Sequence, residues 1–94
     1  MSSIEVATAR SGDGWECLVT IRDRGETRHR VRVSAADLAR LAPGASDPGE
    51  LVTASVVFLL EREPKESILR EFDLMVISRY FPEYEREMRD RLRA

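Results

Sequence analysis

The first third of the chain alternates apolar and polar residues with a period of two, which predicts half-buried β-strands. Three segments carry this pattern, namely residues 4–10, 15–22 and 27–33. A glycine-containing loop, residues 11–14, connects the first two segments. A register that pairs Arg10 with Trp15 places every apolar side chain of this hairpin on one face. The sequence therefore predicts a β-hairpin at its start.

The second turn, residues 23–26, is compatible with more than one register. A two-residue turn sets Ile21 opposite Arg28 and mixes the two faces, so the pattern favours an odd-length loop with Gly25 at positive φ. The favoured register pairs Ile21 with His29, Val19 with Val31 and Cys17 with Val33. The predicted sheet is an antiparallel meander whose second strand is central.

From Ser34 onward the apolar spacing becomes that of helices. Ser34 provides an N-cap for a short helix that carries Leu38 and Leu41 on its apolar face. Asp47 and Pro48 form a second start signal, an N-cap followed by a proline at the first helical position. The helix that follows is apolar nearly all round to about residue 60, which predicts a buried central helix.

Pro64 and Pro82 divide the remainder into shorter helices. One is predicted through Ile68 and Phe72, a second after Asp73 as its N-cap, and a last one over residues 82–93. The predicted fold class is α+β, with an N-terminal three-stranded antiparallel meander packed on a C-terminal set of four to five short helices. The strands fall within about residues 4–33 and the helices within about residues 35–93 of a single domain spanning residues 1–94. The inner face of the meander is expected to pack on the central helix.

Composition and net charge indicate which kinds of protein and which partners the sequence favours. The 94 residues are 43% hydrophobic and 34% charged, as in small globular domains, and the net charge of -2 gives no overall attraction to nucleic acid. No signal sequence or membrane-spanning apolar run is visible, and the single cysteine fits a reducing compartment. We therefore expect a cytoplasmic protein that does not associate with membranes. The strong preference for arginine over lysine suggests a bacterial genome of high GC content.

The sequence contains no recognisable catalytic, cofactor or metal motif. Cys17 falls on the inner face of the predicted central strand, and His29 is the only histidine, so neither a nucleophile–base pair nor a histidine metal site is expected. The acidic residues of segment 61–73 alternate with basic ones, which is typical of an ion-paired helix surface. The interpretation is a non-enzyme without metal or cofactor.

Two surfaces are candidates for binding. The first is a C-terminal group of aromatic and apolar residues, namely Phe72, Tyr80, Phe81, Tyr84, Met88 and Leu92. A chain with this much apolar surface and only a three-stranded sheet to cover it gains from dimerisation, so this group predicts a homodimer interface. The same aromatics could instead line a pocket for a small ligand.

The second candidate is an arginine stripe on the outer face of the sheet, formed by Arg22, Arg28, Arg30 and Arg32. Alternating arginines suit contacts with phosphate and guanine, which makes a nucleic-acid-binding regulator an alternative function. The other interpretation is a charged strand that resists edge-to-edge pairing.

The segments FLLEREPKESILREFDL and VISRYFPEYE, which together cover most of residues 58–85, resemble a stretch of small uncharacterised bacterial proteins of similar length. The resemblance implies a stable bacterial single-domain protein of unknown function and transfers no binding residue. The leading hypothesis is a non-enzymatic, homo-oligomeric protein–protein interaction module.

Overall fold

The computed structural model describes residues 2–93. The strands are β1 (Ser3–Ser11), β2 (Gly14–Arg22), β3 (Glu26–Val33) and β4 (Glu71–Asp73). The helices are α1 (Ala35–Leu41), α2 (Gly49–Leu60), α3 (Val76–Tyr80) and α4 (Tyr84–Arg91), and a 3-10 turn spans Lys65–Ser67. The predicted α+β class and the antiparallel meander of the first three strands are confirmed.

The sheet has four strands, not the predicted three, because β4 adds to β3 in parallel. The amide of Arg30 donates to the Arg70 carbonyl at 2.7 Å, and the amide of Leu74 donates to the Arg32 carbonyl at 2.9 Å. The helix predicted through Ile68 and Phe72 is therefore wrong. The free edge of β3 offers unpaired backbone groups, and a three-residue strand satisfies them although it is too short to show a period in the sequence.

The first hairpin has the predicted register, with Arg10 opposite Trp15. Its two-residue turn has Gly12 at φ 60°, a conformation that glycine adopts without steric cost. The odd-length second loop with Gly25 at positive φ, 113°, is also as predicted.

The register of the second hairpin differs from the prediction by two residues. The observed pairs are Val19 with His29, Cys17 with Val31 and Trp15 with Val33. A shift of two residues keeps every side chain on its own face, so the apolar pattern cannot distinguish the two registers.

The inner side chains of β2 and β3 and the apolar residues of α2 and α4 belong to one buried cluster. Within the fold, α2 contacts both β1 and α4. The predicted cap at Ser34 forms, because Ser34 Oγ accepts from the Asp37 amide at 3.1 Å. The N-cap of α2 is Pro48, one residue later than predicted, and Asp47 Oδ1 accepts from the amide of Gly49, the first helical residue, at 2.8 Å. The end of α2 lies next to β4 and α3, because Leu59 lines a cavity together with Phe72 and Val76.

Candidate interaction groove

An apolar cavity of about 370 Å³ opens between the end of α2, the 3-10 turn, β4 and α3. Apart from Glu63 and Ser67, every residue lining it is aliphatic or aromatic. We call this cavity and its rim the groove. Each of its lining residues comes from segment 58–85, the segment that carries the resemblance noted above.

Local structure explains why these side chains meet at the groove. Phe72 is the one buried residue of β4, since its two neighbours in the strand point to the other face and are exposed. The five-residue helix α3 ends where Phe81 takes an extended conformation before Pro82. Phe81 then packs edge-on against Phe58 of α2, with ring centroids 5.8 Å apart. The groove walls are therefore held by strand pairing and by an aromatic contact.

Two large apolar side chains on the groove stay in contact with solvent. Tyr80 is 68% exposed and Leu69 is 50% exposed. Exposed apolar side chains beside an apolar cavity are typical of docking surfaces, and tyrosine is enriched at such surfaces because it combines a large ring with a polar tip. This face of the molecule has the composition of a protein interface.

Two charged residues near this face lack counter-ions. The half-buried carboxylate of Glu63 lines the groove and makes no ion pair among residues 2–93. Arg79, which precedes Tyr80 on α3, is exposed and likewise has no carboxylate partner in the described chain. The groove therefore combines an apolar interior with a free negative charge, and α3 carries a free positive charge.

The predicted interface residues do not all reach this surface. Phe72, Tyr80 and Phe81 line the groove together. Tyr84 and Met88 have no exposed surface and belong to the core, so they cannot contact a partner. Leu92 is half-buried in a separate depression, beside Val6 and Ala54.

Sequence reasoning missed several groove residues. Leu69, Val76 and Ile77 were not among the predicted interface residues, and Glu63 belongs to the acidic residues that were predicted to form an ion-paired helix surface. Pro64, which cannot continue the preceding helix, was the available signal that the chain changes conformation here.

The arginine stripe lies on the outer sheet face, but each arginine is ion-paired. The pairs are Arg22 with Glu5 and Glu26, Arg28 with Glu26, Arg30 with Glu16, and Arg32 with Glu71 and Asp73. Their contacts set local pKa values: the Arg28 guanidinium lowers the pKa of Glu26, and the Asp73 carboxylate raises the pKa of Arg32. Because these carboxylates are at least as numerous as the arginines, the stripe has no net positive charge for binding phosphates.

The other residue types considered for chemistry are the single cysteine, Cys17, and side chains that could bind a metal ion. Burial raises the pKa of the Cys17 thiol to about 11, so the thiol is protonated and unreactive at neutral pH.

Among residues 2–93, no three histidine, cysteine or acidic side chains come together to hold a metal ion. In the same part of the chain, no helix combines the length and the apolar character needed to cross a bilayer.

Comparisons of the chain with models of protein families, with the curated proteins and with solved structures find no match. The resemblance of segment 58–85 stays a prediction, and the groove is the feature of the chain that indicates a function.

Proposed function

We propose that the chain is a non-enzymatic protein-interaction module that forms a homodimer through the groove. The observation that carries the proposal is the position of Tyr80, a largely exposed aromatic side chain on the rim of an apolar cavity. A second copy is the occupant because each copy carries both complementary parts, a cavity and a projecting side chain. A two-fold axis next to Tyr80 lets each ring enter the other copy's cavity.

Charge complementarity supports the same occupant. Arg79 is adjacent to Tyr80, so it accompanies that ring to the partner copy. There it meets Glu63, the lining carboxylate that has no counter-ion within the described chain. Reciprocal Arg79–Glu63 pairs orient the two copies and discourage other partners.

The surface area of the chain is large enough for a standard dimer interface. A standard interface covers about 800 Å² on each partner, which is roughly one-seventh of the 5812 Å² surface of this chain. Truncating an aromatic hot-spot residue typically costs at least about 2 kcal/mol, or roughly a 30-fold change in Kd. Tyr80→Ala is therefore expected to raise the Kd of a micromolar dimer to tens of micromolar.

Sedimentation equilibrium from low to high micromolar concentration tests the proposal. The natural chain is expected to dimerise, and Tyr80→Ala to need roughly 30-fold higher concentrations to do so. Leu18→Ala is the matched control, because Leu18 is a similarly exposed apolar residue, 53%, on the outer sheet face. A monomeric natural chain at high micromolar concentration, or equal weakening by the control, refutes the homodimer.

A charge swap tests the orientation of the two copies. Glu63→Arg and Arg79→Glu are each expected to weaken the dimer, since each places like charges opposite one another. The double variant restores the pair with reversed polarity and is expected to recover most of the affinity. Failure of the double variant to recover contradicts the proposed Arg79–Glu63 contact.

The second candidate function is binding of a small apolar ligand in the same cavity, which the cavity volume favours because ligand pockets start at about 300 Å³. A metabolite that raises the Tm of the Tyr80→Ala monomer supports this function. In either case the proposed location is the cytoplasm, which suits a free thiol at Cys17.

A further inference from the structure

The only lysine and the only histidine of the chain, Lys65 and His29, are both buried and line one polar cavity of about 350 Å³. This cavity lies between the start of β3 and the 3-10 turn, and it shares only Ile68 with the groove. In a chain that otherwise uses arginine for positive charge, a buried lysine beside a buried histidine marks a polar site distinct from the groove.

His29 holds the wall of this cavity in place. Its Nδ1 donates to the Leu69 carbonyl at 2.8 Å, because a carbonyl oxygen can only accept. Its Nε2 lies 2.8 Å from the hydroxyl of Thr27. Both ring nitrogens are thus occupied, and the Nδ1 bond ties Leu69 to β3. The imidazole is a positioning group, and the cationic side chains are left to contact a ligand.

The charges that line the cavity do not cancel. Arg28 pairs with Glu26 at 2.9 Å, and Lys65 pairs with Glu66 at 2.6 Å. Arg70 also lines the cavity and has no carboxylate partner among residues 2–93. One positive charge is therefore left over at this site, although the chain as a whole is negative.

The Lys65–Glu66 pair is open to exchange. The Lys65 side chain is only 8% exposed, whereas the Glu66 side chain is 65% exposed. A buried ammonium needs an anionic partner, but its present partner is a solvent-facing carboxylate whose other hydrogen-bond partner is its own backbone amide. An anion that enters from solvent can replace Glu66 on Lys65 and use Arg70 as well.

We propose that this cavity binds a small anionic metabolite, a carboxylate or a phosphate ester, through Lys65 and Arg70. An ammonium and a planar guanidinium are the groups that proteins commonly use for such anions, and charge-assisted hydrogen bonds are the stronger kind. The cavity volume leaves room for a small organic group beyond the anion. This site goes beyond the proposed homodimer, because none of its cationic residues lines the groove.

The single lysine makes a direct test available. In a chain labelled with ¹⁵N at lysine Nζ, Lys65 gives the one side-chain ammonium signal, which can be followed while inorganic phosphate or acetate is added at constant ionic strength. Saturable shifts of Lys65 Nζ and of the backbone amides of residues 65–70 support the site. A preference for phosphate identifies a phosphate ester, and a preference for acetate identifies a carboxylate. Linear shifts without saturation for both anions overturn the proposal.

Substitutions separate a binding role from a structural one. Lys65→Met keeps the buried stem, and both it and Arg70→Ala are expected to weaken anion binding about tenfold or more. Glu66→Gln removes the competing carboxylate and is expected to strengthen binding severalfold, an effect that a purely structural ion pair does not produce. Weaker binding by Glu66→Gln contradicts the proposal.

The matched control is Arg86→Ala, which removes an exposed arginine that has no ion pair in the described chain. Equal weakening by this control indicates general attraction of anions and overturns the site. Repeating the titration with Tyr80→Ala separates the two proposals, because anion binding is expected to survive loss of the dimer.

Discussion

A buried hydrogen bond joins α4 to α2. It predicts that a second core substitution restores part of the unfolding free energy that a first one removes. Tyr84 has no exposed surface, and its hydroxyl lies 2.6 Å from Ser55 Oγ. Ser55 Oγ in turn donates to the Leu51 carbonyl at 2.7 Å. Since the serine hydroxyl has one proton, Tyr84 must be the donor to Ser55.

The two single substitutions have different costs. Ser55→Ala leaves the Tyr84 hydroxyl buried without a partner, and an unsatisfied buried group costs about 1–3 kcal/mol of unfolding free energy. Tyr84→Phe removes only the donor, and Ser55 keeps its bond to Leu51, so the expected loss is about 1 kcal/mol. In the double variant no tyrosine hydroxyl is stranded. We therefore expect Ser55→Ala/Tyr84→Phe to be more stable than Ser55→Ala by about 1 kcal/mol.

Urea denaturation of the natural chain and the three variants at pH 7 gives the four free energies of this cycle. Equal m-values are required for the comparison, because a changed m-value indicates a changed unfolded or native state. The reasoning is refuted if the double variant is less stable than Ser55→Ala by the cost of Tyr84→Phe alone. Such additivity means that the two hydroxyls do not interact.

Two further predictions concern Cys17 and Gly14. Burial raises the pKa of Cys17 from 9.0 to about 11, so the stability that the neutral thiol contributes is complete below pH 9 and is lost as pH rises toward 11. The free energy of unfolding is expected to fall by at most about 3 kcal/mol over this range. Urea denaturation of Cys17→Ala should lack this fall with pH, and parallel pH profiles of the natural chain and the variant contradict the prediction. A Cβ on Gly14 meets the Val33 carbonyl at 2.3 Å, so Gly14→Ala should lower unfolding free energy by at least about 2 kcal/mol, measured by thermal denaturation. Ser11→Ala on the exposed side of the same turn is the control, and an equal loss there contradicts the steric explanation.

The two hairpins show how far an apolar pattern constrains register. The first turn is short and contains Gly12, so turn chemistry and apolar alternation select one register between them. The second loop is longer, and alternation alone decides only whether a shift is odd or even. The observed pairing of Val19 with His29 and the predicted pairing with Val31 place the same residues inward.

The candidate interface shows a limit of helical periodicity. Tyr80, Tyr84, Met88 and Leu92 are spaced four apart and form one stripe on a continuous helix. The chain breaks between α3 and α4, as Pro82 predicts, and Phe81 is extended at the break. The break sends Tyr84 and Met88 into the core against Ser55 of α2, and leaves Tyr80 on the rim of the groove.

Local information in the sequence was sufficient for the α+β class, the three meander strands, the cap at Ser34 and the buried helix α2. These features depend on residues close together in the chain, whose spacing records which face is buried. The strand β4 and the Lys65–His29 cavity depend on residue pairs about 40 positions apart, such as His29 with Leu69. The groove brings together residues as far apart in the chain as Leu59 and Phe81. Only the path of the folded chain brings such pairs together, because periodicity specifies that a side chain is buried and does not specify its neighbour.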